Sequence, residues 1–410
     1  MKIDGKGMMF MSRMTYKIKR VLKNKLSKIK HYVDDKSINL RATKTEHKYL
    51  VIESDDWGSI RTPNAETLKE LELLGDNPYS EPFIRNDSIE NTEDLQCLFE
   101  ILRRYSDCKG RKLAITANFA MANADFSKIR SKGKYFREPF FETYRKFYGN
   151  DEVLDLIRQG VKEGIFRPQL HCMEHLRVNK WMEDISKGKK DVVIALEKHM
   201  YGIGSSHTSD NVYGYMDAFN YSKEEDRNYI SESISAACDL FEKTFGYKSK
   251  SFTASCYVWD DFLEKELKKN RICHIQTGVY QILPTYSNGG KNYRRIRHYT
   301  GEINELGQMY TVRNCEYEPS LVGSVDYSVN RCIESIRHAF NSKTPAIISS
   351  HRFNFIGSIS KDNRTRGLSG LARVMEWVVK EYPDVEFLTS DELGQILNKE
   401  SEYYDGGCFR

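Results

Sequence analysis

The chain has 410 residues, 40% hydrophobic, 12% aromatic and 30% charged, which supplies a large apolar core and an ordinary charged surface. Its formal net charge is only +5, with the excess near the N-terminus, so the body lacks the concentrated positive charge of a nucleic-acid binder. The nine cysteines are scattered without a Cys-x-x-Cys pair, which argues against a disulfide framework or thiolate zinc site and for free thiols in the cytoplasm.

Residues 1–46 read as a basic extension in which Lys2, Lys6, Arg13 and the run from Lys17 to Lys30 surround Tyr16, Ile18, Val21, Leu22, Leu26 and Ile29. No apolar run there reaches the roughly 7–15 residues of a signal peptide. No later stretch reaches the roughly 18 uninterrupted apolar residues of a membrane span. A solvated leader is the simpler reading, and peripheral contact with the inner face of an anionic membrane is the alternative.

From Tyr49 onward short β-rich runs alternate with amphipathic stretches, the rhythm of parallel strands joined by crossover helices. Strands are predicted at Tyr49–Ser54, Leu113–Asn118, Phe166–Leu170, Ser251–Cys256, Ile272–Thr277, Met309–Val312, Ala346–Ser350 and Val385–Leu388. Helices are predicted at Ala65–Leu74, Glu93–Tyr105, Asp151–Glu163, Lys223–Phe245, Val325–Phe340 and Leu368–Tyr382. Ser222 and Glu225 are placed to form a capping box for the fourth of these, and Gly246 to stop it. The inventory predicts an α/β fold, a distorted (β/α) barrel of seven or eight parallel strands over residues 47–398, with 399–410 as a tail. Lys180–Tyr221 and Pro284–Gln308 break the rhythm and read as long loops that wall a site.

The reactive side chains fall just after predicted strands: Asp55 and Asp56, then Asn118, His171 and His351. In a β/α barrel those strand ends converge on one face. His171 and His175 are the only histidines four residues apart, a spacing that aims both imidazoles at one point if the segment is helical. With Asp56 they offer three ligands and leave positions open for water and substrate, as a catalytic zinc site requires. Cobalt, nickel, manganese and iron accept the same donor set.

The run Glu53-Ser-Asp-Asp-Trp-Gly58 resembles the Thr-Phe-Asp-Asp-Gly motif of the polysaccharide deacetylase family, carbohydrate esterase family four. His171-Cys-Met-Glu-His175 resembles its His-x-x-x-His motif. Leu113–Phe119, Phe252–Trp259 and Ile347–His351 are similar to three further family segments in the same order. The resemblance implies a metal-dependent carbohydrate deacetylase in which Asp55 is the general base, Asp56, His171 and His175 hold the metal, and His351 is the general acid. The segment Phe252–Trp259 lacks the family's arginine and proline, so Arg313 or Arg352 is expected to replace the arginine beside Asp55. Glu316, Glu318 and Asp326 are candidates for the acid that orients His351.

Trp57, Asn118, Tyr257, Trp259, Arg313, Arg352 and Asn354 are the candidate substrate contacts, with Trp57, Tyr257 and Trp259 reading equally as sugar-stacking rings or as core. Arg294, Arg295 and Arg297 read first as a solvated loop and second as a grip for a sugar phosphate. The expected partner is therefore an acetylated carbohydrate, in surface-polysaccharide metabolism. The rivals are a barrel that binds glycans or a partner protein without turnover, and a metal-independent glycoside hydrolase.

Overall fold

The computed structural model describes residues 37–73, 80–201, 203–209, 212–286 and 294–404, the last six without their side chains. Its strands are β1 (Lys48–Trp57), β2 (Ile115–Ala120), β3 (Ala122–Ala124), β4 (Arg137–Pro139), β5 (Phe166–Cys172), β6 (Ser251–Thr253) and β7 (His274–Thr277). They continue with β8 (Tyr280–Ile282), β9 (Arg295–Arg297), β10 (Met309–Val312), β11 (Cys315–Glu316), β12 (Ala346–His351) and β13 (Val385–Leu388). All eight predicted strands are present. The short β11 and the two antiparallel pairs β3–β4 and β8–β9 were not foreseen.

Eight strands form one parallel sheet in the order β10-β7-β6-β5-β2-β1-β12-β11, and β13 joins it beside β1. β13 pairs with Lys48–Val51 and β2 with Glu53–Trp57, while β12 occupies the other edge of β1. The sheet curls so that its two ends, β10 and β11, are separated in the chain only by Arg313 and Asn314. Arg313 N–H donates to Thr277 O on β7 and Asn314 N–H to Ile347 O on β12, so this link spans the seam of the distorted barrel.

Amphipathic helices cover the outside because their apolar residues recur at helical spacing. Leu95, Leu98, Phe99 and Leu102, then Ile230, Ile234, Ala237 and Phe241, then Val329, Cys332 and Ile336 all enter one core with the β1, β2 and β5 side chains. Each buried Leu, Ile, Val or Phe among them contributes about 1.5–3 kcal/mol. The helix Lys361–Glu381 starts earlier than Leu368. Gly367 within it is required by close packing, since a Cβ there would lie 1.7 Å from Asn354 O.

The helix Glu224–Phe245 is capped by Lys223 without a side-chain bond. Ser222 forms no capping box: its hydroxyl accepts from Arg177, and its own N–H donates to Asp226 rather than Glu225. The stretch Lys180–Tyr221 is not a bare loop. It holds the helices Val178–Ser186 and Lys190–Glu197, packed about Trp181, Tyr201 and Tyr215 as a second core. Within Pro284–Gln308, β9 pairs with β8.

Ile38 and Ala42 are buried, and Thr45 N–H donates to Lys343 O, so the end of the basic extension packs on the barrel. The helix Ser390–Tyr404 continues through residue 398. Residues 1–36 and 405–410, with most of the extension and the end of the tail, lie outside the described residues. Among the described residues no helix is long and apolar enough to cross a membrane, and eight cysteines are free thiols.

Candidate metal and hydrolytic site

Two consecutive strand residues normally point to opposite faces. At Asp55 and Asp56 that rule is broken by a register shift between β1 and β2 at Ser54–Trp57, with Asp56 in the left-handed region at φ 74. A bulge of this kind re-aims a side chain, and both carboxylates reach the same cleft. Gly58 follows at φ 76, where a Cβ would lie 2.7 Å from Ala120 O.

His171 lies within β5 and His175 four residues later in a turn that is not helical, so a bend rather than a helix face brings the imidazoles together. Their ring centroids are 4.9 Å apart. His171 Nδ1 is 2.8 Å from Thr253 O. A carbonyl only accepts, so Nδ1 carries a proton, and in the neutral tautomer the lone pair is on Nε2. That Nε2 is 3.5 Å from Asp56 Oδ1, and His175 Nε2 is 3.3 Å from the same oxygen. Asp56 Oδ1 and His171 Nε2 are buried without a hydrogen-bond partner.

Donors about 2.0–2.2 Å from a tetrahedral cation stand about 3.4 Å from one another, so these separations and atom types fit a divalent metal. The three side chains form the one group of potential metal ligands found among the described residues. Burial pushes His175 down to about 3, which leaves it neutral and able to ligate. Burial raises the Asp56 pKa, but neighbouring cationic groups outweigh it, Arg61 being the one that stays charged while His175 is neutral, and the carboxyl is held well below its usual range.

Asp55 has different partners. Arg313, projecting from the seam, donates Nη1 to its Oδ2 at 2.6 Å and Nη2 to its Oδ1 at 2.7 Å, while Asn118 Nδ2 donates to Oδ1 at 2.8 Å. Arg313 Nε donates to Glu53 at 2.6 Å and Nη1 to Tyr257 Oη at 3.1 Å. Burial raises the Asp55 pKa, and Arg313 reverses the effect to hold the carboxylate ionised. Of the two arginines expected beside Asp55, Arg313 is the one in place. Arg352 is fully buried and donates to Asp87 and Glu90.

His351, at the end of β12, has Nε2 4.0 Å from Asp55 Oδ2 and Nδ1 2.6 Å from Glu318 Oε1. Glu318 is thus the carboxylate beside the ring, whereas Asp326 pairs with Arg373 at the surface. Burial lowers the His351 pKa, but Glu318 outweighs it and the imidazolium persists up to about 9.

The cleft has a volume of about 270 Å³ and is lined by Asp55, Asp56, His171, His175, His351, Arg61, Phe83, Tyr213, Met216 and Tyr257, among others. Of the seven expected substrate contacts, only Tyr257 lines it. Trp57 and Trp259 are buried to 1% exposure, with their indole N–H groups donating to Ser54 and Glu264. Both belong to the core and present no stacking face. Asn118 and Arg313 bond to Asp55, and Asn354 donates to Glu318 at 2.6 Å. Arg295 and Arg297 lie on the exposed strand β9, and neither they nor Arg294 lines this cleft.

Arg61 and Phe83 escaped the sequence reading. Arg61 Nη2 donates to Asp56 Oδ2 at 3.1 Å, and Phe83 packs edge-on against the His351 ring at 5.2 Å. Arg61 follows the Asp-Asp pair closely, but the irregular turn between them offers no periodicity from which to read its direction. Phe83 sits on the short helix Pro82–Asn86, too brief for a helical pattern.

No family model matches the sequence, and no curated protein matches it. Its structure is similar to a 4-α-glucanotransferase from Thermococcus litoralis, with 13% identity over 85% of this chain and a TM-score of 0.44; the match covers 40% of that enzyme's length. An allantoinase matches at 9% identity and a TM-score of 0.44, over 90% of this chain and 98% of its own. A family 4 acetyl xylan esterase from Clostridium thermocellum, solved with cobalt, matches at 12% identity and a TM-score of 0.36, over 85% of this chain and 91% of its own. Polysaccharide deacetylases recur among the other structural neighbours.

Proposed function

We propose that the protein is a metal-dependent hydrolase that removes acetyl groups from a carbohydrate, N-acetyl in the first instance. The observation that carries the reading is the meeting of Asp56 Oδ1 with His171 Nε2 and His175 Nε2 in a buried pocket, where Asp56 Oδ1 and His171 Nε2 lack a hydrogen-bond partner. A buried polar atom left bare costs about 1–3 kcal/mol, a cost that a cation ligated there removes. Asp56, His171 and His175 hold that cation, with zinc the first candidate. When bound, it supplies Lewis-acid polarisation of an acyl carbonyl and eases deprotonation of water.

The remaining steps belong to the chain. Asp55, kept ionised by Arg313, accepts a proton as water adds to the acyl carbon. His351, kept protonated by Glu318, delivers a proton from Nε2 to the departing nitrogen or oxygen. The 4.0 Å between Asp55 Oδ2 and His351 Nε2 puts acceptor and donor within reach of one reacting centre. Tyr257 walls the cleft against the sugar.

The test is metal content of the purified wild type beside His171→Ala, with acetate release from acetylated oligosaccharides and nucleotide sugars. One equivalent of metal, lost in the variant, with metal-dependent acetate release supports the proposal. Absence of metal from both proteins after reconstitution sinks it.

A further inference from the structure

Asp56 has two oxygens, and the site uses them differently. Oδ1 faces the two imidazoles, while Oδ2 accepts from Arg61 Nη2 at 3.1 Å. The Arg61 guanidinium lies over the Phe83 ring, 5.4 Å from its centroid, and its Nε is 3.6 Å from Asp87 Oδ2. Behind it stands a buried ionic frame. Arg352 donates to Asp87 at 2.8 Å and to Glu90 at 2.6 Å, all three side chains being fully buried. Glu90 also accepts from Gly58 N–H at 2.9 Å, and Asp87 O accepts from Thr62 N–H at 3.1 Å. Between these, Ser59 bonds to Tyr201 and Ile60 N–H to Asn123. The turn carrying Arg61 is therefore tied down along its length before any ligand arrives.

We infer that Arg61 is a positioning residue: carried on a tied turn and drawn by the nearby Asp87 charge, it takes up Asp56 Oδ2 so that the carboxylate offers the cation Oδ1 alone. The inference rests on the metal site proposed above and adds that the coordination mode is set by a side chain outside the ligand triad. The planar guanidinium is fixed in direction because Nη2 donates to Asp56 and Nη1 to Met216 Sδ while Nε faces Asp87 beyond hydrogen-bond distance, an arrangement that a lysine ammonium cannot reproduce. Groups that orient metal ligands carry about 10–100-fold of metal affinity.

The experiment uses the full chain as wild type, Arg61→Lys and Asp87→Asn, with zinc affinity read by competition with a chromophoric chelator and the visible spectrum of each protein loaded with cobalt. Arg61→Lys keeps the positive charge and loses the fork, so zinc binding is expected to weaken about 10–100-fold. Its cobalt bands should shift as Oδ2 becomes free to ligate. Asp87→Asn, which loosens the anchor, should fall between wild type and Arg61→Lys, and it supplies the same readout if Arg61→Lys does not fold. A wild type that binds beside variants that bind equally tightly with unchanged spectra overturns this inference alone. A wild type that takes up neither metal overturns the proposed site and this inference with it.

Discussion

Asp55 and Asp56 are neighbours in the chain and almost equally buried, at 4% and 2% exposure, yet they occupy opposite electrostatic situations. Around Asp55 both oxygens are taken by Arg313 and Asn118, within a web that also holds Glu53. Around Asp56 one oxygen is held by Arg61 and the other faces two imidazoles without a hydrogen bond. A buried carboxylate gripped on both oxygens by one guanidinium, with a lone pair of Oδ2 still open, is a fixed charge that can take a proton only briefly. One with a bare lone pair facing two imidazoles, His171 with a bare buried nitrogen, has the donor set of the proposed metal site. One bulge in β1 puts both beside the same cleft.

The sharpest way to break this division is to neutralise each carboxylate separately. Asp56→Asn should abolish stoichiometric metal and all metal-dependent acetate release. Asp55→Asn should keep the metal and lower kcat about 10²–10⁴-fold, the usual worth of a general base. Atomic absorption and acetate release on the two proteins read both halves, and metal loss in Asp55→Asn would show that the halves are not independent.

Next in size is the charge web. Arg313→Met leaves Asp55 and Glu53 buried without their cation and should lower the unfolding free energy by about 3–5 kcal/mol in urea at pH 7. In the wild type, the depressed Asp55 pKa contributes stability that is present above about pH 4 and lost as the pH falls further. The gap between the two proteins should therefore narrow in acid. Equal stability at pH 7 would contradict the view of Asp55 as a locked charge.

A smaller effect separates His351 from both carboxylates. Its imidazolium persists to about 9 because Glu318 outweighs burial. In the proposed role of proton donor it must be charged, so activity should fall as pH rises through that pKa. Glu318→Gln removes the supporting charge and should move the alkaline limb to lower pH, with about tenfold less activity above the limb for each unit moved. A bound cation pulls both limbs down, so the difference between wild type and variant is the measurement. Identical pH–rate profiles would remove Glu318 from the mechanism.

Strand positions were legible in the sequence because each buried parallel strand is an apolar run bounded by turn residues, and Asp55, His171 and His351 could be placed at strand ends for the same reason. What failed depended on irregular backbone or tertiary choice. The spacing of His171 and His175 suggested a helix where a turn does the work. Ser222 had the composition of a cap, but Arg177 competes for its hydroxyl. Trp57 and Trp259 flank the strand ends as stacking residues would, yet core packing claims them. Arg313 stood among the alternatives only because a family arginine was missing; its aim comes from the seam between β10 and β11, which exists only when the barrel closes. Glu318 was one of three acids that sequence could not rank, since its partner lies in β12.

The mildest test of the division concerns Asn118, whose site bond runs to Asp55 alone. Its Nδ2 donates to Asp55 Oδ1 and to Gln276 Oε1, and its Oδ1 accepts from Gln276 Nε2. In Asn118→Ala, Gln276 keeps Arg313 and Ser251 as partners, and Asp55 keeps both nitrogens of Arg313. The cost should stay near one buried hydrogen bond, about 1–3 kcal/mol in urea unfolding, with a loss in kcat below about tenfold, less than the general base itself supplies. Zinc affinity should not change, because the side-chain hydrogen bonds of Asn118 run to Asp55 and Gln276 and not to Asp56, His171 or His175. A variant that lost affinity would mean that Asp55 and Asp56 are coupled through the strand carrying them, and the bulge would then be one mechanical unit rather than two independent aims.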